Sequence, residues 1–161
     1  YYYLIMRIGT GFDIHTHDND NKLSIGTVNI EGAGFVAHSD GDIVVHALID
    51  ALLAAAGLGD IGEVFPSEDQ KWEDASGKSL LLITKDIISD AGLIIENIDI
   101  IIISNRIKIS PIKEKIVTSI SEILDLDKAS VSIKGKTTNG SNLLFDDEAS
   151  AAIATVLGRV S

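Results

Sequence analysis

Residues 94–103 read Ile94-Ile95-Glu96-Asn97-Ile98-Asp99-Ile100-Ile101-Ile102-Ile103 and end in four consecutive isoleucines. Side chains branched at Cβ lose rotamer freedom in a helix, so this run predicts a strand, apolar enough to be buried on both faces. Its flanks set the fold class. Upstream, Leu80 to Ala91 has helical spacing and closes at Gly92. Downstream, Ser110-Pro111 supplies an N-cap with proline at the first helical position, opening a helix that runs to about Asp125. Val131 to Lys136 then alternates as a second strand. Helix, strand, helix, strand predicts a mixed α/β (α+β) fold with helices packed on a sheet. Composition leaves the tail from Ala149 to Val160 open, because its alanines favour helix while Ile153, Thr155 and Val156 favour strand.

The first half is less regular. Leu4 to Gly9 and Phe12 to His15 read as an opening strand interrupted by Gly9-Thr10-Gly11. Leu23 to Ile30 alternates around Gly26 and suggests a hairpin whose turn carries Asp18-Asn19-Asp20-Asn21, with His17 in the same polar turn. That acidic run lacks the glycine and closing glutamate of a calcium loop and reads as a solvated turn. Ser39 followed by Asp42 resembles a capping box, and Ile43, Ala47, Leu48, Ile49, Leu52 and Leu53 continue a helical stripe that Gly57-Leu58-Gly59 ends.

Chemistry concentrates in three segments: Gly11-Phe12-Asp13-Ile14-His15, Ala37-His38-Ser39-Asp40-Gly41-Asp42, and His46. Asp13 and His15 are two apart, so on a strand both side chains leave one face. A histidine on an apolar helix is more often a satisfied core residue than a ligand. With Asp13 and His15 it makes a carboxylate and two imidazoles with a coordination position to spare, the donor set of a catalytic Zn2+ site rather than a closed structural one. Asp42 and Asp50 lie one helical turn either side of His46, so one of them is expected to hold its ring. Ser39 reads as a cap, yet free amides at that helix start would also receive phosphate. Lys134-Gly135-Lys136-Thr137-Thr138 follows a strand but lacks the upstream glycine of a P-loop.

Composition narrows the function classes. At 161 residues the chain suits one domain, 1–161. Thirteen basic against 24 acidic side chains give a formal charge of −11, which argues against nucleic acid. No cysteine is present, so a tightly held metal must use His, Asp or Glu. No apolar run approaches the ~20 residues of a membrane span. Residues 1–5 precede Met6 and read as a non-native or disordered start. A cytoplasmic or organelle-stroma location is expected.

Three pieces taken together resemble the 2-C-methyl-D-erythritol 2,4-cyclodiphosphate synthase family of the non-mevalonate isoprenoid pathway. They are Arg7-Ile8-Gly9-Thr10-Gly11-Phe12-Asp13-Ile14-His15, Ala37 to Asp42 with His46 and Asp50, and Gly59-Asp60-Ile61-Gly62 with Phe65-Pro66. The resemblance runs collinearly from Arg7 to near the C-terminus. It implies a mixed four-stranded sheet with helices on one face plus a β-hairpin, the tail a strand, and a homotrimer with sheets facing its three-fold axis and active sites between subunits. It also implies a lyase that cyclises 4-diphosphocytidyl-2-C-methyl-D-erythritol 2-phosphate and releases CMP.

Carried over position by position, the resemblance implies Zn2+ or another divalent cation on Asp13, His15 and His46, and Mg2+ or Mn2+ bridging the substrate phosphates. His38 and Thr137 would stabilise the transition state, and Ser39 would contact phosphate. Asp60, Ile61 and Gly62 would hold the methylerythritol end, lined by Phe65 to Asp69. Ser104 to Ser110, including Lys108, would receive cytidine, with Lys136, Thr138 and Asn139 on the phosphate side. The chain departs from the family pattern at Thr10 (usually His), Ile107 (often Pro), Asn139 (usually Glu) and Asp146 (often Arg), and at Ser141, Asn142 and Leu143 (usually Leu-Gly-Phe). The last group bears on the second metal and on any anion near the three-fold axis. A zinc-dependent phosphohydrolase and a weakly active paralogue that binds phosphorylated ligand as a module remain the alternatives.

Overall fold

A computed structural model describes residues 4–37, 40–72, 75–141 and 148–160. Two antiparallel strands open it, β1 (Ile5–Ile25) and β2 (Val28–Phe35), followed by helices α1 (Ile43–Ala56), α2 (Ile61–Val64) and α3 (Gly77–Asp90). Strand β3 (Ile94–Ile103), helix α4 (Lys113–Leu124), and strands β4 (Val131–Lys136) and β5 (Ala149–Val160) complete the order. The sheet runs β2-β1-β5-β3-β4, antiparallel except for the β3–β4 pair. Four strands form the expected mixed sheet, and the hairpin strand β2 extends that sheet at its edge, which makes five.

The tail is a strand despite its alanines, because β5 pairs along its whole length with both β1 and β3. Ile5, expected to belong to a non-native or disordered start, opens β1 opposite Val160. Gly9 and Gly11 do not interrupt β1. They are the places where α1 comes down onto it: a Cβ would lie 1.9 Å from the Ala51 carbonyl oxygen at Gly9 and 2.0 Å from that of Ala47 at Gly11.

The hairpin turn is Gly26-Thr27, both with positive φ, and not the acidic run. Residues 18–21 lie inside β1, where the register to β2 slips between Asp18 and Lys22. A β-branched residue with positive φ is strained, and here Asp42 holds the turn. Its carboxylate accepts the Gly26 N–H at 2.8 Å, the Thr27 N–H at 2.7 Å and the Ser24 hydroxyl at 3.0 Å. The same carboxylate caps α1 by accepting the Val44 and Val45 amides. Asp42 is fully buried, and burial pushes its carboxyl up. Its carboxylate oxygens are thereby engaged by five turn and cap groups, a role the expectation that it holds the ring of His46 did not foresee.

Helix α4 starts at Lys113, three residues after Ser110; the chain at Ser110-Pro111 makes a turn closed by the Ile112 and Lys113 amides on the Ile109 carbonyl. Strand β3 is buried on one face only. Ile98, Ile100 and Ile102 are inaccessible beneath the helices, while Ile101 and Ile103 face the open side. The same open face exposes Ile8, Phe12 and Ile14 of β1 at 70%, 54% and 41%. No helix among the described residues is long and apolar enough to cross a membrane.

Candidate metal centre and substrate pockets

Helix α1 is apolar almost all round, as a helix laid across the middle of a sheet must be. Ten of its 14 residues are buried; apart from Ala56 at its end, those that are not are His46, Asp50 and Ala54, a stripe spaced at i, i+4 and i+8. Beneath that stripe β1 presents Asp13 and His15 on the face that carries Gly9 and Gly11. The glycines bring strand and helix together, so three side chains from two elements meet. Asp13 Oδ2 lies 3.0 Å from His15 Nε2 and 3.1 Å from His46 Nδ1, and one potential ligand atom from each residue falls within 4.8 Å of the others.

The surroundings tune these groups. His15 Nδ1 donates to the Val36 carbonyl at 2.9 Å, which turns Nε2 toward Asp13 and the place a metal would take. Burial alone would raise the Asp13 carboxyl, but hydrogen bonds from His15 and His46 and their charge hold it down at about 2. Asp13 in turn raises His15 above its ordinary 6.5. A carboxylate that stays ionised and imidazoles oriented by fixed acceptors suit a divalent cation. Asp50 does not cap this group in isolation: it accepts the Ile61 amide at 2.8 Å, and burial together with the neighbouring Asp60 and Asp13 charges pushes its carboxyl up. It thereby ties the start of α2 to the metal-bearing helix.

Two pockets flank the remaining expected residues. One of about 480 Å³ adjoins the metal group and is lined by His15, His46, Ile61, Gly62, Phe65 and Trp72 among others. Asp60 caps α2 through the Glu63 amide, and Asp69 accepts the Lys71 amide within the next turn, so both shape the wall without lining it. Trp72 was not anticipated. It meets Phe65 edge to face at 4.9 Å with Lys71 over its ring, and the signal was the chain's single tryptophan seven residues after Phe65.

The second pocket, about 610 Å³, gathers Ser104, Lys108, Ser110, Lys136, Thr137 and Asn139. Thr138 lies beside it, exchanging two hydrogen bonds with Asn105, which falls within the expected 104–110 stretch. Thr137 donates to Asn139 Oδ1 at 2.8 Å. The structure thus brings the two expected groups together internally but on separate pockets of one chain. His38, Ser39, Asn142, Leu143 and Asp146 lie outside the described residues. His17 is not in a turn: it sits in β1, stacked on Phe35 with ring centroids 4.7 Å apart.

Fold and site define a class: an α+β protein with an Asp-His-His group between strand and helix that could hold a metal at a pocket's mouth. The chain belongs to the YgbB family, whose profile matches residues 6–159. It is 46% identical over 153 residues to the 2-C-methyl-D-erythritol 2,4-cyclodiphosphate synthase of Treponema denticola, covering 94% of this chain and 95% of that one. Among solved structures, the bifunctional IspDF of Campylobacter jejuni superimposes with a TM-score of 0.93 at 34% identity, over 99% of this chain and 43% of that longer chain. The CDP complex of Plasmodium falciparum IspF gives 0.84 at 32% identity over 99% of both chains.

Proposed function

We propose that this chain is a lyase of the non-mevalonate isoprenoid pathway, converting 4-diphosphocytidyl-2-C-methyl-D-erythritol 2-phosphate to 2-C-methyl-D-erythritol 2,4-cyclodiphosphate and CMP. The observation that carries this is the convergence of Asp13, His15 and His46 beside the 480 Å³ pocket, in a chain with a near full-length relative named for that reaction. The relatives named synthases favour cyclisation over both the phosphohydrolase and the binding-module alternatives.

In this reaction an oxygen of the 2-phosphate forms a bond to the β-phosphorus, and the bond from that phosphorus to the oxygen bridging to the α-phosphate breaks, so CMP carries the bridging oxygen away. The substrate supplies its own nucleophile, which leaves the protein to fold the substrate back on itself and to balance charge. Asp13, His15 and His46 would hold Zn2+ or another divalent cation, which would supply Lewis-acid charge to phosphate, and the substrate phosphates would hold Mg2+ or Mn2+ to the same end. Asp13 and the Val36 carbonyl hold the two imidazoles in place for that ion. Ile61, Gly62 and Phe65 enclose the methylerythritol end, with Asp60 and Asp69 fixing the backbone that presents them. His38 and Ser39 take phosphate, His38 and Thr137 stabilise the transition state, and Ser104, Lys108 and Ser110 receive the cytidine end, with Lys136, Thr138 and Asn139 on the phosphate side.

Because the two pockets lie apart on one chain, a complete site needs the metal half of one subunit and the nucleotide half of another. The exposed apolar face formed by Ile8, Phe12, Ile14, Ile101 and Ile103 supports closure of that arrangement as a homotrimer about a three-fold axis. A cytoplasmic or stromal location accompanies this reading.

The experiment is CMP release from the cytidylyl substrate with Zn2+ and Mg2+ varied independently. Release with formation of the cyclic product is expected only when both sites are supplied. Inorganic phosphate or an uncyclised diphosphate as product would replace cyclisation by hydrolysis.

A further inference from the structure

His17 takes no part in the metal group and lines neither substrate pocket, yet it begins a line of hydrogen bonds that ends at one of them. Its Nδ1 donates to the Ala33 carbonyl at 3.0 Å, and its Nε2 lies 2.7 Å from Ser150 Oγ. The Oγ of the fully buried Ser150 lies 2.7 Å from Ser104 Oγ as well, so each hydroxyl of the line can hand its one proton to the next member. Ser104 Oγ, itself buried, also accepts the Arg106 amide at 3.1 Å and the Ile107 amide at 2.9 Å. The line crosses the sheet from β2 through β1 and β5 to the segment that leaves β3.

A hydroxyl accepting the amides two and three residues ahead fixes how the chain turns. Here that turn decides where Ile107 and Lys108 stand in the wall of the 610 Å³ pocket. The turn itself requires only Ser104. Ser150 and His17 prolong the polar line into a layer where β5 otherwise offers Ala151, Ala152, Ala154 and Val156, all inaccessible. A buried polar line is costly unless every member is satisfied, and when satisfied it rigidifies what it touches. His17 is held from its other side by Phe35, which also meets the ring of His15 at 6.1 Å, so the strand carrying a metal ligand carries this support as well.

We propose that His17 and Ser150 are positioning residues for the nucleotide half of the site, holding Ser104 and through it the 104–108 turn in the shape that receives the cytidine end. The proposal rests on the cyclisation reading. Its test uses the purified full chain, measuring CDP affinity by calorimetry together with KM and kcat for CMP release, zinc content and Tm. The variants are Ser150→Ala, His17→Phe, which keeps a ring against Phe35, and His17→Gln, which keeps a side-chain donor and acceptor.

Ser150→Ala and His17→Phe are expected to weaken CDP binding and raise KM about tenfold, the scale of one lost buried hydrogen bond. Their kcat and zinc content should stay within about twofold of wild type, since the turn acts on binding and not on the reacting atoms. His17→Gln should recover part of the loss. Unchanged CDP affinity and KM in both variants overturn the proposal, as does a parallel fall of KM-independent turnover, zinc and Tm, which general loosening would give. A wild-type chain that neither binds CDP nor releases CMP defeats the cyclisation reading and this inference with it; normal wild-type turnover with indifferent variants defeats this inference alone.

Discussion

Gly11 of β1 lies directly beneath Ala47 of α1, so close that a Cβ on Gly11 would meet the Ala47 carbonyl oxygen at 2.0 Å and Asp50 Cβ at 2.7 Å. Asp13 and His15 ride on the strand and His46 on the helix. The spacing of the metal group is therefore set by a contact in which neither partner is a ligand.

Gly11→Ala must lift the helix or bend the strand, because the obstructing atom is backbone and cannot rotate away. We expect a loss of about 1–3 kcal/mol of stability from overpacking. Zinc affinity should fall with it, as His46 is carried away from Asp13. Chemical denaturation and zinc titration check the two effects, and unchanged zinc affinity would separate this contact from the metal site.

His46→Ala removes one of the three proposed ligands while leaving the core face of α1 intact, since His46 lies on the stripe that the core does not cover. Zinc should be lost and cyclisation abolished, with the folded chain retained by circular dichroism. Full zinc stoichiometry in the variant would defeat the ligand assignment.

The pH dependence of metal binding follows from two opposite shifts. Asp13 is held at about 2, so it stays ionised wherever histidines titrate. The metal-free chain gains stability from it above the ordinary carboxylate value and loses that as pH falls toward 2. His15 is raised above its ordinary 6.5, chiefly by the hydrogen bond to Asp13. Its share of metal-free stability is present below 6.5 and is lost as pH rises through the raised value. A proton on His15 excludes a metal from Nε2, so zinc affinity should be full above that raised value and fall by up to about tenfold per pH unit below it. Chelator competition over about pH 5 to 8 measures this; a flat affinity would contradict it. In Asp13→Asn the onset should move to lower pH.

Much of the fold was legible because its signals were local. The isoleucine run of β3, the alternation of β4, and the closing glycine of α1 at Gly57 are each decided by neighbours in sequence. What misled were positions whose meaning is tertiary. Gly9 and Gly11 look like a break until a helix is seen to press on them, and Asp42 looks like a residue for His46 until the Gly26-Thr27 turn is seen to need it. Asp13 and His15 were legible because their spacing puts both on one face of a strand, and His46 because its residue type completes their donor set; His17 was not, since its partners Ala33 and Ser150 are 16 and 133 residues away.

The half-covered β3 and the exposed Ile8, Phe12 and Ile14 predict the oligomeric state. Sedimentation at micromolar concentration should give three times the 17.1 kDa chain mass. Phe12→Asp would place a charge on that face, outside both pockets, and should yield a smaller species with little CMP release, because in the proposed arrangement each complete site draws on two subunits. A fully active monomer would refute the shared site.

Asn139 is where the chain departs most from its family pattern, and the structure gives the substitution a backbone reason. Asn139 and Gly140 both have positive φ, +52° and +74°, the Asn-Gly signature of a tight turn. Asparagine tolerates that conformation better than glutamate, and its Oδ1 is engaged by the Thr137 hydroxyl at 2.8 Å. A neutral amide lacks the charge that attracts a hard cation, so magnesium should be held mainly through the substrate phosphates and more weakly than in a relative with glutamate there. Asn139→Glu should lower the magnesium concentration for half-maximal CMP release without altering zinc content, at a cost of about 1 kcal/mol for the strained turn. Asn139→Asp should give the same charge with less strain, since aspartate also accepts positive φ. If both leave the magnesium dependence where it was, position 139 does not face the second cation, and the loop carries its asparagine for the turn alone.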